Sequence, residues 1–375
     1  LKQLGRGKHG FLIVDGAPGM GKTSFLDLVQ RNLEKKNLNL IRIAGLLQES
    51  YRPYYLIAYI AMAIMNQRAD KGQSVLDNLD DTTINLLAHV IPQLIDAEEA
   101  QPEDDAAHRE AIFTAFCDFF AALLDNQPIV LLIDDFDYSD PASLHLFKTV
   151  FHKQTTPMLI CGTATTEVST KPQAIPLELF RNAYSDELGI QTIALTELTD
   201  EDINKHAGMV FPGIKMHRRT INEIGSITEG NPLFVVEILR KMANDQKIFQ
   251  EGAKWRIASI EKNYFPRSLE EIVQQKMMLL DDESREFIDR ASAFGESTSL
   301  SMLAGFTKEH SAKIYDYLNE AVAQGIVISD FDEADENIRF SSKRIRDTIY
   351  DDIAPETRVE LNEQIGNYKA DLYNK

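Results

Sequence analysis

A glycine-rich segment near the start of the chain constrains its fold more than any other feature. Residues 16–24 read Gly-Ala-Pro-Gly-Met-Gly-Lys-Thr-Ser, which fits the pattern G-x-x-x-x-G-K-T. An apolar run at residues 11–15 precedes the segment, and a stretch with helical periodicity follows it. Strand, glycine loop and helix in this order are the context of a phosphate-binding loop. A chance glycine turn before a helix is the alternative, which these flanks disfavour.

The residue types in the segment suit contacts with a nucleoside triphosphate. Glycines let the backbone turn its N–H groups toward anionic oxygens, and the helix that begins near Lys22 directs its positive dipole end to the same place. The Lys22 ammonium would lie on the outer phosphates, and the Thr23 hydroxyl would ligate Mg²⁺. We therefore expect the nucleotide to contact Gly16, Ala17, Pro18, Gly19, Met20, Gly21, Lys22, Thr23 and Ser24.

Two adjacent acids follow an apolar run and are candidates for the metal and the attacking water. Residues 129–133 are apolar at every position, which predicts a strand buried on both faces, and Asp134 and Asp135 come directly after it. Parallel strands end at the same edge of a sheet, so we expect these acids beside the glycine loop. Asp134 would then hold Mg²⁺ together with Thr23, and Asp135 would act as the catalytic base. Taken alone, such a pair more often caps the next helix.

The order of the predicted elements indicates a branch of the P-loop proteins, and the absence of a guanine-reading motif favours adenine nucleotides. A strand and a long helical stretch separate Lys22 from Asp134, which suits P-loop proteins with a strand inserted between the phosphate-loop strand and the acidic strand. The chain contains no Asn-Lys-x-Asp motif for reading guanine.

Thr163 and Thr165, after a fourth predicted strand, could sense the γ-phosphate or could serve only the turn. Arg181 could be an arginine finger for a neighbouring subunit, although an ordinary surface arginine is the simpler interpretation.

Composition limits the classes of protein to which the chain could belong. A hydrophobic share of 44% over 375 residues supports two or three folded domains. The net charge of −19 argues against a surface built to neutralise nucleic-acid phosphates. Cys117 and Cys161 are far apart in apolar surroundings, as in a reducing compartment. The longest apolar run, residues 54–65, is too short to span a membrane, so we expect a cytoplasmic protein.

The fold class predicted for the N-terminal region is α/β, with a mostly parallel sheet covered by helices. The predicted strands are residues 11–15, 39–44, 129–133, 158–162 and 190–195. A long helical stretch at residues 53–125 is interrupted by a predicted acidic loop at 96–105. The predicted domains are a P-loop nucleotide-binding domain at 1–195, a helical lid domain at 196–262, a winged-helix-like domain at 263–354 and the start of a further helical region at 355–375. The chain begins without Met and stops within a helical pattern, so we expect it to be a piece of a longer protein.

Several motifs together resemble those of the STAND signal-transduction ATPases, which are related to the AAA+ proteins. Residues 133–144 resemble the acidic-strand motif of that family, and residues 230–239 resemble its Gly-x-Pro motif in the helical lid. Segments beginning at Pro266, Arg339 and Arg346 are similar to the winged-helix region that follows in such proteins. Relatives include the ATPase regions of multidomain bacterial regulators and adenylate cyclases. One departure is Thr165, which stands where many relatives have an arginine.

This resemblance implies an ATP- and Mg²⁺-dependent switch. Pro232 would contact the nucleotide from the lid, ADP would keep the helical domains closed, and ATP would favour an open form that can form homo-oligomers. The implied partners are ATP and sensor or output domains outside this piece, with neither nucleic acid nor a membrane involved.

Three functions remain open from the sequence. The first is a slowly hydrolysing regulatory ATPase module; the second is a DNA-binding ATPase, such as a transcription regulator or initiator, acting through the winged helix. The third is a scaffold that binds ADP permanently and does not hydrolyse ATP. The predicted tip of the wing, residues 330–336, carries five acids, whereas a wing that contacts DNA should be basic.

Overall fold

The structure, a computed structural model, consists of two compact units, Leu1–Thr196 and Glu197–Lys375. It describes residues 8–35, 38–46, 49–69, 79–88, 90–91, 106–124, 127–165, 175–261, 264–331 and 336–373. The predicted acidic loop at 96–105 lies outside these residues.

Five parallel strands form the sheet of the first unit within the described residues. The strands are β1 (Gly10–Gly16), β2 (Asn39–Ala44), β3 (Ile129–Asp134), β4 (Met158–Thr165) and β5 (Ile190–Ala194). Their order across the sheet is β2-β3-β4-β1-β5, so β4 lies between the strand before the glycine loop and the strand that ends in Asp134. The α/β class and the inserted strand predicted from the sequence are both confirmed.

Helices cover both faces of this sheet. They are α1 (Lys22–Glu34), α2 (Tyr55–Ala69), α3 (Asp81–Ala88), α4 (Ala106–Leu124), α5 (Pro141–Lys153) and α6 (Ile175–Leu188). Side chains alternate between faces along a strand. Val14, Leu132 and Cys161 therefore pack with Leu26 of α1 on one face, in a cluster separate from the one that α2, α4, α5 and α6 form on the other.

A buried carboxylate fixes the start of two of these helices. Asp140 is the N-cap of α5 and accepts a hydrogen bond from Ser143 N at 2.7 Å. The same carboxylate accepts hydrogen bonds from the backbone of Tyr54 and Leu56 at the start of α2, at 2.8 and 3.3 Å. Pro141 in the first turn of α5 lacks the N–H that would otherwise need a partner. The segment after Asp135 is therefore held against α2.

The second unit is mainly helical. Its helices are α7 (Asp200–Val210), α8 (Arg218–Thr228), α9 (Pro232–Asn244), α10 (Leu269–Met277), α11 (Asp282–Phe294), α12 (Leu300–Thr307), α13 (Ser311–Ala323), α14 (Lys343–Asp352) and α15 (Pro355–Tyr373). The spacing Thr199-x-x-Asp202 in the sequence predicts a capping box at the start of α7, and the structure has it, with both reciprocal hydrogen bonds.

Two small antiparallel sheets complete the second unit. β6 (Ile248–Glu251) pairs with β7 (Lys254–Ile257), whereas the sequence pattern predicts a single short strand at residues 252–257. β9 (Val327–Phe331) and β10 (Glu336–Phe340) form the predicted hairpin, and β8 (Ser297–Ser299) pairs with the other edge of β10. Residues 332–335, at the predicted tip of the wing, lie outside the described part.

One continuous apolar core runs through the second unit, from Ile203 in α7 to Ile365 in α15. The separation of this unit into a lid and a winged helix therefore stays a prediction. Among the described residues, the helices lack the combination of length and apolar character needed to cross a bilayer.

Candidate phosphate and metal site

The glycine loop has a backbone that other residues would adopt only with strain. Gly19 and Gly21 have φ angles of 83° and 86°, in the left-handed region that favours glycine. At Gly16 the constraint is space, because an added Cβ would lie 3.2 Å from Met20 Cβ and 3.3 Å from Leu195 Cβ. The sequence at these positions therefore follows from the shape of the turn.

Lys22 curls its side chain back over the loop. Its Nζ donates to the carbonyl oxygens of Gly16 at 2.7 Å and Ala17 at 3.2 Å. The ammonium is thus already within the turn whose amides a phosphate would meet. An anion that enters the turn would meet a positive charge held at a fixed place.

The start of α1 is open to a ligand. Gly21 is its N-cap and offers no side-chain acceptor to the first amides of the helix. Thr23 and Ser24 in the first turn are exposed. A helix N-terminus with this arrangement suits phosphate oxygens.

Asp134 lies at the same edge of the sheet as the glycine loop that follows β1. Val14 on β1 pairs with Thr163 on β4, and Ile133 on β3 pairs with Gly162, so Asp134 ends β3 two residues before β1 and β4 end at the same edge. Two strand spacings, roughly 10 Å, separate β1 from β3. The Asp134 residue is only 9% exposed, and its Oδ1 accepts a hydrogen bond of 2.5 Å from Thr163 Oγ1.

Thr163 is therefore committed to the acidic pair. Its hydroxyl, which is fully buried, donates to Asp134 and accepts a hydrogen bond of 2.8 Å from Asp135 N. In this arrangement the hydroxyl donates its proton to the Asp134 carboxylate, so Thr163 affects the site by orienting Asp134. Direct sensing of the γ-phosphate by Thr163 or Thr165 stays a prediction.

Asp135 has an unusual backbone conformation. Its φ and ψ of 49° and 47° are left-handed, which costs about 1 kcal/mol for a residue with a Cβ. The neighbouring Gly45 backbone is so close that an added Cβ there would lie 2.3 Å from Asp135 O. Strain of this kind concentrates at functional sites, since the surrounding structure must maintain it.

Two arginines make contacts near these acids that the sequence does not reveal. Arg181 on α6 forms an ion pair with Asp15, directly before the glycine loop, at 2.9 Å. The Arg181 side chain is 29% exposed and bound within its own unit, and a role toward a neighbouring subunit stays a prediction. Arg42 on β2 reaches both α1 and the neighbourhood of Asp134. Its signal in the sequence is a charge within an otherwise uncharged strand.

The local donor set suits a metal held largely by a nucleotide. Asp134 and Thr23 offer hard oxygen atoms, which Mg²⁺ prefers, and Mg²⁺ sites typically use one or two protein groups with phosphates and waters. No cluster of three or more His, Cys, Asp or Glu suited to a metal ion occurs in the described part of the chain. Burial raises the pKa of the nearby Cys161 thiol to about 11, with a contribution from Asp134, so this thiol stays protonated at neutral pH.

Pro232 begins α9 in the second unit. Asn231, the N-cap of this helix, accepts hydrogen bonds from Leu233 N and Phe234 N. The conformation of the Gly-x-Pro segment is therefore explained by helix capping alone. Contact between Pro232 and a nucleotide stays a prediction.

Comparisons with known proteins identify the kind of domain that the N-terminal part of the chain resembles. Residues 1–161 match the AAA ATPase domain family. The hybrid signal transduction histidine kinase G of Dictyostelium discoideum is 27% identical over 161 residues, which cover 40% of this chain and 5% of that protein. The chain thus spans a small part of this relative.

One solved structure shows a similar fold. A STAND protein with a tetratricopeptide repeat sensor from Pyrococcus horikoshii superposes with a TM-score of 0.52 at 12% identity, over 98% of this chain and 44% of the other. The Orc1 protein of Aeropyrum pernix in complex with DNA has a TM-score of 0.40 at 13% identity, over 94% of this chain and 90% of that one, which is too low to support an argument. The resemblance to STAND-type P-loop ATPases that the sequence motifs indicated is therefore confirmed, in the family match of residues 1–161 and in the fold.

Proposed function

We propose that this chain is the ATP-binding and slowly hydrolysing switch module of a larger signal-transduction protein. The observation that carries the proposal is the position of Lys22 and Asp134 at one edge of the sheet, where β1, β4 and β3 end within two residues of one another. The match to the AAA ATPase domain supports nucleotide chemistry at this edge.

Each group has a distinct role in this proposal. The amides of the loop and the Lys22 ammonium bind the β- and γ-phosphates, and Thr23 and Asp134 hold Mg²⁺. When bound, the metal would neutralise charge on the phosphates. Thr163 keeps Asp134 in one orientation through its 2.5 Å hydrogen bond.

Asp135 is the group proposed to orient the attacking water. Its backbone is fixed on one side by Thr163 and on the other by the close approach of Gly45.

We further propose that α7–α9 form the lid and that α10–α14 with β8–β10 form the winged helix. Pro232 would contact the nucleotide from the lid, and the nucleotide state would control domain arrangement and homo-oligomerisation. Partners would be sensor or output domains outside this chain, in the cytoplasm. The net charge of −19 supports a protein partner over nucleic acid.

Phosphate release from ATP tests the proposal. We expect release that requires Mg²⁺, and at least a tenfold fall on Asp135→Asn with ATP affinity within threefold of the wild type. ATP binding without release in the wild type would instead indicate the ADP-holding scaffold. Retention of full activity in Asp135→Asn would show that the base has been misassigned.

A further inference from the structure

Arg42 occupies a position between the phosphate-loop helix and the acidic strand. It lies on β2, where its backbone pairs with Leu132 of β3, two residues before Asp134. Its side chain is 27% exposed and points to the face of the sheet that carries α1. A partly buried cation on this face requires an explanation beyond the packing of the strand.

The guanidinium group is held mainly by α1. One terminal nitrogen donates to Asp27 Oδ1 at 2.5 Å and to Gln30 Oε1 at 2.9 Å. The other terminal nitrogen lies 3.8 Å from Asp134 Oδ2, beyond hydrogen-bond distance. Arg42 is therefore tied to the helix and stands next to Asp134 without being bound to it.

The tether lies on the helix face that carries Thr23. Asp27 is four residues after Thr23 and Gln30 is seven residues after it, so the three share one side of α1. Asp134 Oδ2, which would hold the metal, lies 3.8 Å from this tethered guanidinium, and Thr23 is about one helical turn from Asp27. Like charges at such a distance repel, and Asp27 offsets part of this repulsion.

We propose that Arg42 is a tethered counter-cation that lowers the affinity of the Asp134 site for Mg²⁺, and that Asp27 sets the strength of this effect. The inference rests on the proposed function, since it takes Asp134 as the metal carboxylate. It goes beyond that function because it assigns control of metal affinity to residues outside the phosphate loop and the acidic pair. Without the metal, Arg42 balances the charge of Asp134; with it, Asp27 and Gln30 retain the guanidinium.

The proposal predicts opposite effects for the two members of the ion pair. Arg42→Gln removes the repelling charge and leaves Asp27 uncompensated, so both changes favour the metal. Asp27→Asn leaves the guanidinium uncompensated and free to approach Asp134, so both changes disfavour it. A purely structural ion pair would make the two variants change the site in the same direction.

The measurement is the Mg²⁺ concentration that half-saturates binding of a fluorescent ADP analogue to the intact chain. We expect about a tenfold decrease for Arg42→Gln, about a tenfold increase for Asp27→Asn, and a value within threefold of wild type for the double variant. Binding of Mg²⁺ to the free nucleotide is common to all samples and does not affect the ratios. Shifts of both single variants in one direction, or no shift in either, would overturn the proposal.

Gln30→Glu provides a test that keeps an acceptor oxygen for the guanidinium, although it removes the 2.9 Å hydrogen bond that Gln30 Nε2 donates to Glu34. It adds a negative charge on the surface of α1 at the second acceptor of the guanidinium, and we expect the half-saturating Mg²⁺ concentration to fall two- to fivefold. An unchanged or increased concentration would count against the proposal even if the Arg42 variant failed to fold.

Asp134→Asn distinguishes a failure of the proposed role of Arg42 from a failure of the proposed metal site. If it abolishes the effect of Mg²⁺ and the Arg42 and Asp27 variants still show no opposite shifts, only the role of Arg42 fails. If it leaves the effect of Mg²⁺ unchanged, the metal site is elsewhere and the proposed function fails with the inference.

Discussion

Each unit contains a buried carboxylate near an arginine, and the two are neutralised differently. Glu237 on α9 in the second unit is fully buried, binds Lys276 through one oxygen, and accepts from Arg240 at 2.9 Å through the other. Asp134 in the first unit is 9% exposed, and the cation beside it, Arg42, stands 3.8 Å away.

The difference indicates different roles. A carboxylate with a cation at contact distance on each oxygen has little capacity left to bind a further ligand. Glu237 therefore links α9 to α10 as a structural ion pair. Arg42 stands beside Asp134 Oδ2 without a hydrogen bond to it, which leaves this oxygen able to accept a metal. Substitutions at these two carboxylates and around them should therefore have effects of different kinds and sizes.

Lys22→Ala should have the largest effect, at the loop that brings phosphates to Asp134. It removes the charge fixed over the turn, and we expect ATP affinity in calorimetry to fall at least about 100-fold. Lys35→Ala, which changes an exposed lysine just after the same helix, is the matched control and should leave affinity unchanged. Retained affinity in Lys22→Ala would mean that the site lies elsewhere.

Asp134→Asn should strongly lower Mg²⁺-dependent phosphate release and leave the fold intact. The amide keeps the shape of the side chain but is a poor metal ligand, so Mg²⁺-dependent phosphate release should fall on the order of 100-fold. The exposed Asp118→Asn on α4 is the control. A loss of stability of several kcal/mol in Asp134→Asn would contradict the contrast with Glu237.

Glu237→Gln should show the opposite behaviour. Breaking a buried ion pair typically costs about 3–5 kcal/mol, because an uncompensated charge remains. Trp255, the sole tryptophan of the sequence, packs against Phe211 with ring centroids 5.0 Å apart, so its fluorescence reports urea unfolding of the second unit. Glu223→Gln, at an exposed position on α8, is the control and should leave the free energy of unfolding unchanged. A small loss of unfolding free energy in Glu237→Gln would contradict the structural role of Glu237.

Thr163→Val should weaken the metal site without removing it. The variant keeps the volume of the side chain but loses the hydrogen bond that orients Asp134. Groups that orient a metal ligand typically contribute ten- to a hundredfold, and we expect about a tenfold rise in the Mg²⁺ concentration needed for phosphate release. An unchanged Mg²⁺ requirement would show that Thr163 serves only the strand.

Asp289 on α11 supplies a third carboxylate, with the smallest expected effect. Burial, and then the charge of Asp352, raises its pKa to about 6 from an ordinary value near 4. A raised folded pKa means that the folded state binds the proton more tightly, so stability falls as pH rises from about 4 to 6 and stays lower above that. Because the group is partly exposed, it should lower the free energy of unfolding by only about 1 kcal/mol between pH 4.5 and 7. We expect Asp289→Asn to remove this difference, measured by urea unfolding at both pH values. An unchanged difference would refute this.

The sequence could predict what short-range pattern determines. The sheet strands were located to within a few residues, because apolar runs bounded by polar residues mark buried parallel strands. The capping box at Thr199 was readable because both partners lie within one turn.

Long-range contacts could not be predicted in the same way. The approach of Arg42 to Asp134 depends on the pairing of two strands that are far apart in sequence. The sequence pattern likewise suggests a role for Thr163 toward phosphate, whereas its hydroxyl bonds Asp134 because strand register places them side by side. β6, the first strand of its hairpin with β7, was missed because the turn at Gly252 separates two strands of only four residues each.

Calorimetric titration of ADP with and without Mg²⁺ tests the central claim most directly. The account predicts that Mg²⁺ tightens ADP binding to the wild-type chain at least tenfold, and that this gain disappears in both Thr23→Val and Asp134→Asn, while metal-free affinity stays within threefold. An undiminished Mg²⁺ gain in Asp134→Asn would contradict the claim that the glycine loop and the acidic strand hold one nucleotide-bound metal between them.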